Sequence, residues 1–248
     1  MKLHKLLCVG FLCLPMGVRQ GHSQTVQQIL SSAATAFSHG KPVNSITLTG
    51  TATWIAGSDK ESGNATLTAN ADGSFTVQLA LDKGIRSEAQ TSFTSSTSCT
   101  FTGIDAVVHA SSEHNCLSNL AWFLPDVAVF GGKQPSFVLT LLTADNNASQ
   151  PFIHLRQQQV LSSLSVAAGS QFLAHLSTVN FYLDPSSYLL SVLDYDIHPD
   201  NNAGVDIPEQ VIFTDYRAVN GVNIPFRIER YINGVLNLDL TVTQASAN

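Results

Sequence analysis

The stretch of sequence that decides the fold is residues 211–242, which read VIFTDYRAVNGVNIPFRIERYINGVLNLDLTV. Two Asn-Gly pairs, Asn220-Gly221 and Asn233-Gly234, divide this stretch into three runs of strand length, and Asn-Gly is the pair that a two-residue type I′ hairpin turn favours. In the third run apolar and polar residues alternate from Leu236 to Val242, so one face of the strand is apolar. The stretch predicts a three-stranded antiparallel meander whose apolar face must be covered.

Upstream segments carry weaker signals of the same kind. Apolar residues recur at helical spacing from Val26 to Phe37, and Gly40 with Lys41-Pro42 supplies a stop, which predicts an amphipathic first helix. Asp72-Gly73 predicts a hairpin turn, and Asp184-Pro185-Ser186-Ser187 is a type I turn signature. Strands are predicted at residues 46–55, 64–71, 74–81, 137–142, 152–157, 160–166, 179–183 and 188–197.

Two segments between these strands are less regular. Residues 87–100 are rich in Ser and Thr with little periodicity, which predicts a weak edge strand or a loop. Residues 115–132 show helical spacing, with Pro125 inside the pattern and Gly131-Gly132 at its end. We therefore expect a second helix that is broken or restarts at Pro125. Roughly nine or ten antiparallel strands with two helical segments give an α+β fold class.

The amino terminus predicts export. Lys2 and Lys5 precede an apolar run at residues 6–18, which is followed by Arg19 and the small residue Ser23. This pattern is typical of a secretory signal peptide at residues 1–24, and the run is too short for a transmembrane helix. Residues 25–248 are then expected to form a single domain, exported to the periplasm or secreted.

The charge of the mature chain excludes several partners. Cleavage removes three basic residues and leaves nine Lys and Arg against 18 Asp and Glu, so the formal net charge becomes −9 instead of −6. A nucleic acid or an anionic membrane surface is a poor partner for such a chain. The arginines of the carboxyl half are expected in solvated cross-strand ion pairs with nearby acids; they are Arg156, Arg217, Arg227 and Arg230.

Two cysteines remain after maturation. In an oxidising compartment, a disulfide between Cys99 and Cys116 is the default expectation. A zinc site that uses His109, His114 and Cys116 is the less favoured alternative, because the spacing matches no closed tetrahedral motif.

One acidic segment, residues 194–209, could hold calcium, because it brings several oxygen ligands together, namely Asp194, Asp196, Asp200, Asp206 and Glu209. The spacing fits no EF-hand loop, and a solvated turn is the favoured interpretation. His198 in the same segment is expected to be a surface or turn histidine. No nucleophile elbow, zinc-protease helix, Walker loop or dinucleotide fingerprint is present, so we expect neither an enzyme nor a cofactor.

Three segments of the carboxyl half resemble a known family. Residues 181–185 (FYLDP), 213–225 (FTDYRAVNGVNIP) and 231–234 (YING) resemble successive strands of the LolA-like superfamily of periplasmic lipoprotein carriers. The resemblance implies a curved antiparallel sheet or incomplete barrel that wraps helices and offers a hydrophobic cavity to acyl chains. Pro225 departs from a regular middle strand, so a bulge or an edge position is expected there.

Three functions follow as hypotheses. The favoured one is an exported, non-enzymatic binder or carrier of an apolar or acylated ligand or lipoprotein, which lies in a groove lined by the second helix. The groove residues are expected to be Leu120, Trp122, Phe123 and Leu124. The alternatives are a cell-envelope structural or interaction module with a filled interior and, last, a hydrolase. The state of the interior discriminates between the three.

Overall fold

The computed structural model describes residues 24–92, 98–118, 121–130, 137–142, 152–159 and 167–248. Within these ranges four helices and 13 strands are present. The helices are α1 (Val26–Ser38), α2 (Glu113–Cys116), α3 (Pro125–Phe130) and α4 (Ala167–Leu176). The strands are β1 (Ser45–Ala56), β2 (Asp59–Asn70), β3 (Phe75–Leu81), β4 (Gly84–Gln90), β5 (Cys99–Thr102), β6 (Val108–Ala110), β7 (Phe137–Leu142), β8 (Ile153–Gln159), β9 (Val179–Leu183), β10 (Leu190–Ile197), β11 (Ile207–Val219), β12 (Val222–Ile232) and β13 (Val235–Ala247).

All of these strands belong to one antiparallel sheet with the order β6-β5-β4-β3-β2-β1-β13-β12-β11-β10-β9-β8-β7. Sequence neighbours pair throughout except at the centre, where the last strand, β13, pairs with the first, β1. The sheet is therefore two meanders joined side by side by their outer strands. It is open, and in the described part of the chain β6 and β7 are its edges.

The meander expected at the carboxyl end is confirmed. The turn residues Asn220 and Gly221 have φ values of 52° and 83°, and Asn233 and Gly234 have 50° and 73°. A positive φ at both central positions defines a type I′ turn. Pro225 pairs with Tyr216 of β11, but the ladder of β12 with β13 begins only at Arg227. The missing N–H of Pro225 thus leaves the ladder with β13 intact, as an edge-like position requires.

The first helix shows that the sheet is curved. α1 contacts β12 in the middle of the sheet and also β7 at its edge. These strands are five positions apart, which is roughly 24 Å in a flat sheet, so the edge must curve towards the helix. Asn223 Nδ2 of β12 donates to Ala36 O of α1 at 2.7 Å and fixes the helix on this face. Ile29, Ala33 and Phe37 of α1 are buried in the core.

The prediction of a second helix at residues 115–132 was wrong for its first half. A helix does begin at Pro125, as expected, but residues 121–124 form a turn, and of the described residues from 115 to 124 only Asn115 and Cys116 are helical. Ala121 has a φ of 39°, which a right-handed helix cannot contain. The sequence showed apolar residues at helical spacing here because the side chains of this turn are buried as completely as those of a helix would be. The structure gives no support to a sheet wrapped around two helical segments.

The described strands also outnumber the expected nine or ten. The weak edge strand or loop expected at residues 87–100 corresponds to the end of β4 and the start of β5, and β4 is not an edge, because it pairs with both β3 and β5. β6 was not predicted, because it has only three residues. α4 was missed because Gly169-Ser170 weakens its helical pattern. The predicted strand at residues 160–166 lies outside the described residues. The same is true of the predicted signal peptide, except for Gln24, which donates to Tyr188 Oη at 2.8 Å.

The turn geometry yields a test of the central meander. Replacing Gly221 with Val should destabilise the protein by about 1 kcal/mol or more, because a β-branched residue resists positive φ. No other atom lies within 4 Å of a Cβ placed there, so the loss would come from the backbone alone. Urea denaturation measures it. Gly221→Asn is the matched control and should cost less than half as much, and equal losses in both variants would contradict the turn assignment.

Candidate functional site

A buried ion pair lies on the apolar face of the sheet. The guanidinium of Arg230 on β12 donates from Nε and Nη2 to both carboxylate oxygens of Glu209 on β11, each at 2.9 Å. The Glu209 side chain is fully buried and that of Arg230 is 14% exposed. Two parallel hydrogen bonds to one carboxylate give this pair a fixed geometry.

Strand register brings these charges together. Arg230 lies opposite Val211 of β11 and Leu238 of β13. Glu209 is two residues from Val211, so it lies on the same face and diagonal to Arg230. Tyr195 of β10 lies directly opposite Glu209. Neighbouring inward positions of β10, β11 and β12 therefore carry a tyrosine, a carboxylate and a guanidinium among apolar residues.

Glu88 and Trp122 complete the cluster from outside the meander. Arg230 Nη1 donates to Glu88 Oε1 of β4 at 2.9 Å, and Trp122 Nε1 donates to Glu88 Oε2 at 2.9 Å. The guanidinium carbon of Arg230 lies 4.8 Å from the centre of the Trp122 ring. Arg230 thus holds two carboxylates and one aromatic ring, which is a complete set of partners for a buried cation.

Two members of this cluster, Arg230 and Tyr195, keep their protons near neutral pH. Burial alone would lower the pKa of Arg230, but Glu209, Tyr195 and Glu88 together raise it well above its usual value. Burial raises the pKa of Tyr195 well above 10, and Glu209 adds to the shift. Arg230 therefore stays charged and Tyr195 stays protonated. The arrangement is suited to binding and orientation, since neither group can exchange a proton near pH 7.

A second buried ion pair lies beside the first. Arg86 Nη2 of β4 donates to Glu61 Oε1 of β2 at 2.7 Å, and the Glu61 side chain is only 2% exposed. The guanidinium of Arg86 stacks at 3.9 Å over the ring of Trp54, which is opposite Glu61 in the β1–β2 ladder. Arg86 Nε and Glu61 Oε2 are buried and have no hydrogen-bond partner among the described residues. This pair retains unused hydrogen-bonding capacity.

Two cavities adjoin these charges. The first, of about 240 Å³, has apolar walls and a polar side, and its lining includes Trp54, Val77, Leu79, Trp122, Leu238, Arg86, Glu88 and Arg230. The second, of about 250 Å³, is lined in part by Cys99, Tyr195 and Ile197. Glu88, Phe101 and Arg230 line both cavities, so the two lie side by side. Each is slightly smaller than the roughly 300–1,000 Å³ of typical small-molecule sites.

The residues predicted to line a groove have different locations. Trp122 lines the first cavity, although it is in a turn and not in a helix. Phe123 and Leu124 are completely buried in the core, where Phe123 packs edge-to-face on Phe75 with ring centres 6.0 Å apart. Leu120 lies outside the described residues. That Phe123, Leu124 and Leu120 line a groove therefore stays a prediction.

The cysteines form the expected disulfide, which joins Cys99 of β5 to Cys116 of α2 with their Cα atoms 5.7 Å apart. The alternative zinc set is not assembled. His109 instead pairs with Asp105 at 2.7 Å and stacks on Phe101. His114 lies against His198, with ring centres 5.9 Å apart.

Two expectations about the carboxyl half were wrong. His198 is not at the surface, since its side chain is fully buried, and Arg230 is not in a solvated pair. The acidic segment does not converge on one calcium site either: Glu209 binds Arg230, Asp194 accepts from Gln210 at 3.0 Å, and Asp206 faces histidines. Arg227 of β12 does form a partly exposed cross-strand pair with Asp239 of β13, as expected, whereas Arg217 pairs with Asp215 of its own strand.

Period-two alternation could have located the buried charges. In β12 the inward positions are Val222, Ile224, Phe226 and Ile228, and Arg230 is the next member of this series. In β11 the series Phe213, Val211 leads back to Glu209. A charged residue at an inward position of two neighbouring strands predicts a buried ion pair. Glu88 and Trp122 carried no comparable signal, because their contacts join distant segments.

A third cavity of about 240 Å³ lies below the end of α1 and contains one carboxylate. Asp126 of α3 lines it together with Phe37, Val43 and Val127. Burial raises the pKa of Asp126 to about 7, and only a hydrogen bond from its own backbone opposes the shift. Asp126 is thus a carboxyl group that can change charge near neutral pH.

The open antiparallel sheet with helices on one face is a LolA-like fold. A LolA superfamily protein from Nitrosomonas europaea superposes with a TM-score of 0.54 at 11% sequence identity, over 90% of this chain and 94% of that chain. A candidate outer membrane lipoprotein-sorting protein domain from Vibrio parahaemolyticus gives 0.55 at 9% identity, over 89% and 91%. A DUF1329 family protein from Desulfovibrio piger gives 0.54 at 9%, over 91% and 94%.

Such low identities establish a shared fold and nothing finer. No protein-family model matches the sequence, and no curated protein matches it either. Among the helices that the structure describes, none is both long and apolar enough to cross a bilayer.

The Arg230–Glu209 pair yields a stability test. Arg230→Met would leave Glu209 buried without a cation, and loss of one partner of a buried pair costs about 3–5 kcal/mol. Lys83→Met, which breaks an exposed pair with Asp59, should cost less than about 1 kcal/mol. Urea denaturation compares the two, and the double variant Arg230→Met/Glu209→Gln should recover part of the loss. A loss for Arg230→Met no larger than that for Lys83→Met would contradict the assignment.

Asp126 yields a pH test. Its folded pKa of about 7 exceeds the unfolded value of about 3.9, so the folded protein holds a proton that the unfolded chain releases, and stability falls as pH rises through this window. Asp126→Asn should therefore be more stable than wild type at pH 8, by about 1–4 kcal/mol, and nearly equal to it at pH 4. Thermal unfolding at both pH values measures the difference. A difference that is the same at both would show that Asp126 ionises normally.

Proposed function

We propose that this chain is an exported, non-enzymatic binder or carrier of a single amphiphile, with an acyl or similar apolar chain as the buried part. The observation that carries the proposal is the first cavity, where apolar walls formed by Trp54, Trp122 and Leu238 meet a polar side at Arg86 and Arg230. A site of this composition matches a ligand with an apolar tail and a hydrogen-bond acceptor at its head. The LolA-like fold and a neighbour described as a candidate lipoprotein-sorting domain support the same class of ligand.

The unused hydrogen-bonding capacity of Arg86 defines the ligand's head group. Arg86 Nε is a buried donor without a partner in the described part of the chain, and Arg86 lines the cavity. A carboxylate, phosphate or ester oxygen placed there would satisfy this donor, which is otherwise costly to leave unpaired. Arg230 is already fully engaged by Glu209 and Glu88, so it orders the cavity wall instead.

Access to the cavity is supported by the edge of the sheet. Phe101 of β5 separates the two cavities and is 40% exposed. Nearby apolar side chains are also solvent-exposed, namely Ile85, Ile104, Val107 and Val108. A cluster of exposed apolar residues beside a cavity is typical of a ligand-binding surface. In our proposal Phe101 moves aside and joins the two cavities when a longer chain binds.

We also propose that the protein is periplasmic or secreted. A predicted signal peptide and the disulfide between Cys99 and Cys116 support a periplasmic or secreted protein. A lipoprotein is a possible donor of the acyl chain, and the acidic mature sequence argues against nucleic acid.

One observation favours the alternative of an envelope interaction module. The space between the helices and the sheet is packed, since Ile29, Phe123 and Leu124 are almost completely buried. A filled interior needs no ligand. The two functions differ in whether the first cavity binds an amphiphile with measurable affinity.

The emission of tryptophan tests the proposal directly, because both tryptophans of the sequence line the first cavity. Titration with fatty acids from hexanoate to dodecanoate should shift the emission saturably, with one ligand per chain. Each added methylene contributes about 0.8 kcal/mol, so Kd should fall roughly fourfold per methylene until the cavity is full.

A matched pair of variants controls this titration. Thr102→Phe narrows the first cavity at its β5 wall and should weaken binding about tenfold or more. Val235→Phe adds the same ring at an exposed position beside a hairpin and should bind as wild type does. If no fatty acid in the series shifts the emission below about 1 mM, the carrier proposal fails and the interaction module replaces it.

A further inference from the structure

Three side chains with metal-binding atoms converge at the opposite end of β10 from the turn at residues 184–187. His175 is in the last turn of α4, His198 follows β10 directly, and Asp206 precedes β11. His175 Nε2 lies 3.0 Å from Asp206 Oδ1, and His198 Nδ1 lies 3.4 Å from the same oxygen. One ligand atom from each residue lies within 4.8 Å of those of the other two.

We propose that His175, His198 and Asp206 bind a divalent transition-metal ion of the zinc class. Imidazole nitrogen and carboxylate oxygen are ligands that Zn²⁺ accepts, at bond lengths of about 2.0–2.2 Å. The ligand atoms of a tetrahedral ion at such distances lie roughly 3.3–3.6 Å apart. Two of the observed separations are already close to this range, so small side-chain rotations complete the site. Three protein ligands also match the usual number at an open zinc site.

His198 is held in place for this role. Its backbone N–H donates to Asn115 Oδ1 at 2.8 Å, and Asn115 Nδ2 donates to its carbonyl oxygen at 2.8 Å. Its ring Nδ1, which is the nitrogen that lies near Asp206, is also 3.1 Å from Val205 O, which can only accept a hydrogen bond. Metal binding through Nδ1 therefore uses the tautomer of His198 with its proton on Nε2, and the contact with Val205 O is given up when the ion binds.

The other ring nitrogen of His198 is free to carry the proton. The side chain of His198 is fully buried, and its Nε2 forms no hydrogen bond with the described residues. Moving the proton to Nε2 therefore breaks no hydrogen bond at that nitrogen. His114 of α2 lies nearby, with its ring centre 5.9 Å from that of His198, but it is outside the group of converging ligand atoms.

A metal ion here would tie together segments that have few other links. α4 contacts β8, whereas His198 and Asp206 flank the connection between β10 and β11. Coordination would thus fasten α4 to the β10–β11 connection.

The chain contains a matched control for this site. His109 and Asp105 form a pair at 2.7 Å with side-chain exposures of 42% and 50%, close to the 42% and 47% of His175 and Asp206. Among the described residues, this pair has no third metal-binding side chain close enough to form a site with it. Any general effect of losing an exposed His–Asp pair should appear equally at both places.

The experiment uses the untagged mature protein after treatment with EDTA, because a histidine tag would itself bind metal. Calorimetric titration with ZnSO₄ should show one ion per chain, and Co²⁺ should give the visible absorption of a tetrahedral complex. His175→Ala and Asp206→Asn should each weaken Zn²⁺ binding about tenfold or more, while His109→Ala should bind as wild type does. Added Zn²⁺ should raise Tm in wild type and in His109→Ala, but much less in the two ligand variants.

Either of two results would overturn the proposal. One is the absence of saturable Zn²⁺ binding below about 1 mM in wild type. The other is an equal loss of affinity in His109→Ala and His175→Ala, which would assign the binding to surface histidines in general. His175 and Asp206 are both more than 40% exposed, so their variants should fold, and circular dichroism checks this. The result is independent of fatty-acid binding, which tryptophan emission reports separately.

Discussion

The need to neutralise one buried cation governs how the halves of this structure meet. Arg230 lies at an inward position of β12, and its side chain is only 14% exposed. Its guanidinium is held by Glu209 from the next strand and by Glu88 from β4, several strands away across the sheet. An unpaired charge at such a position costs several kcal/mol, so β4 and the turn that carries Trp122 must approach the meander closely. The curvature that the packing of α1 requires is thus reinforced by electrostatics at the same face.

This constraint also explains where space is left in the core. Apolar side chains cannot pack closely against a guanidinium whose donors are directed at two carboxylates, those of Glu209 and Glu88. Both cavities that share Arg230 lie beside these polar atoms. The site therefore combines paired charges with apolar walls.

Sequence patterns predicted the parts of the molecule that local physics determines. Asn220-Gly221 and Asn233-Gly234 specify their turns because few other residues accept positive φ, and the alternation along β13 specifies which face is buried. Residues 121–124 were predicted to be helical because a tightly packed turn and a helix both bury apolar residues. The positive φ of Ala121 distinguishes the turn from a helix. His198 and Glu88 acquire their roles from residues more than 80 positions away or on distant strands, as the bonds from Asn115 and Arg230 show. No local pattern encodes such contacts.

The disulfide links the wall of one cavity to the segment that holds His198. Cys99 lines the second cavity, and its partner Cys116 carries α2, whose Asn115 holds the backbone of His198. In a reducing compartment both cysteines would remain thiols, and α2 would not be fastened to β5. For the exported carrier proposed above, oxidation would therefore complete one wall of the cavity and secure the backbone of His198 in the same event, which would couple the completion of two separate sites to the compartment.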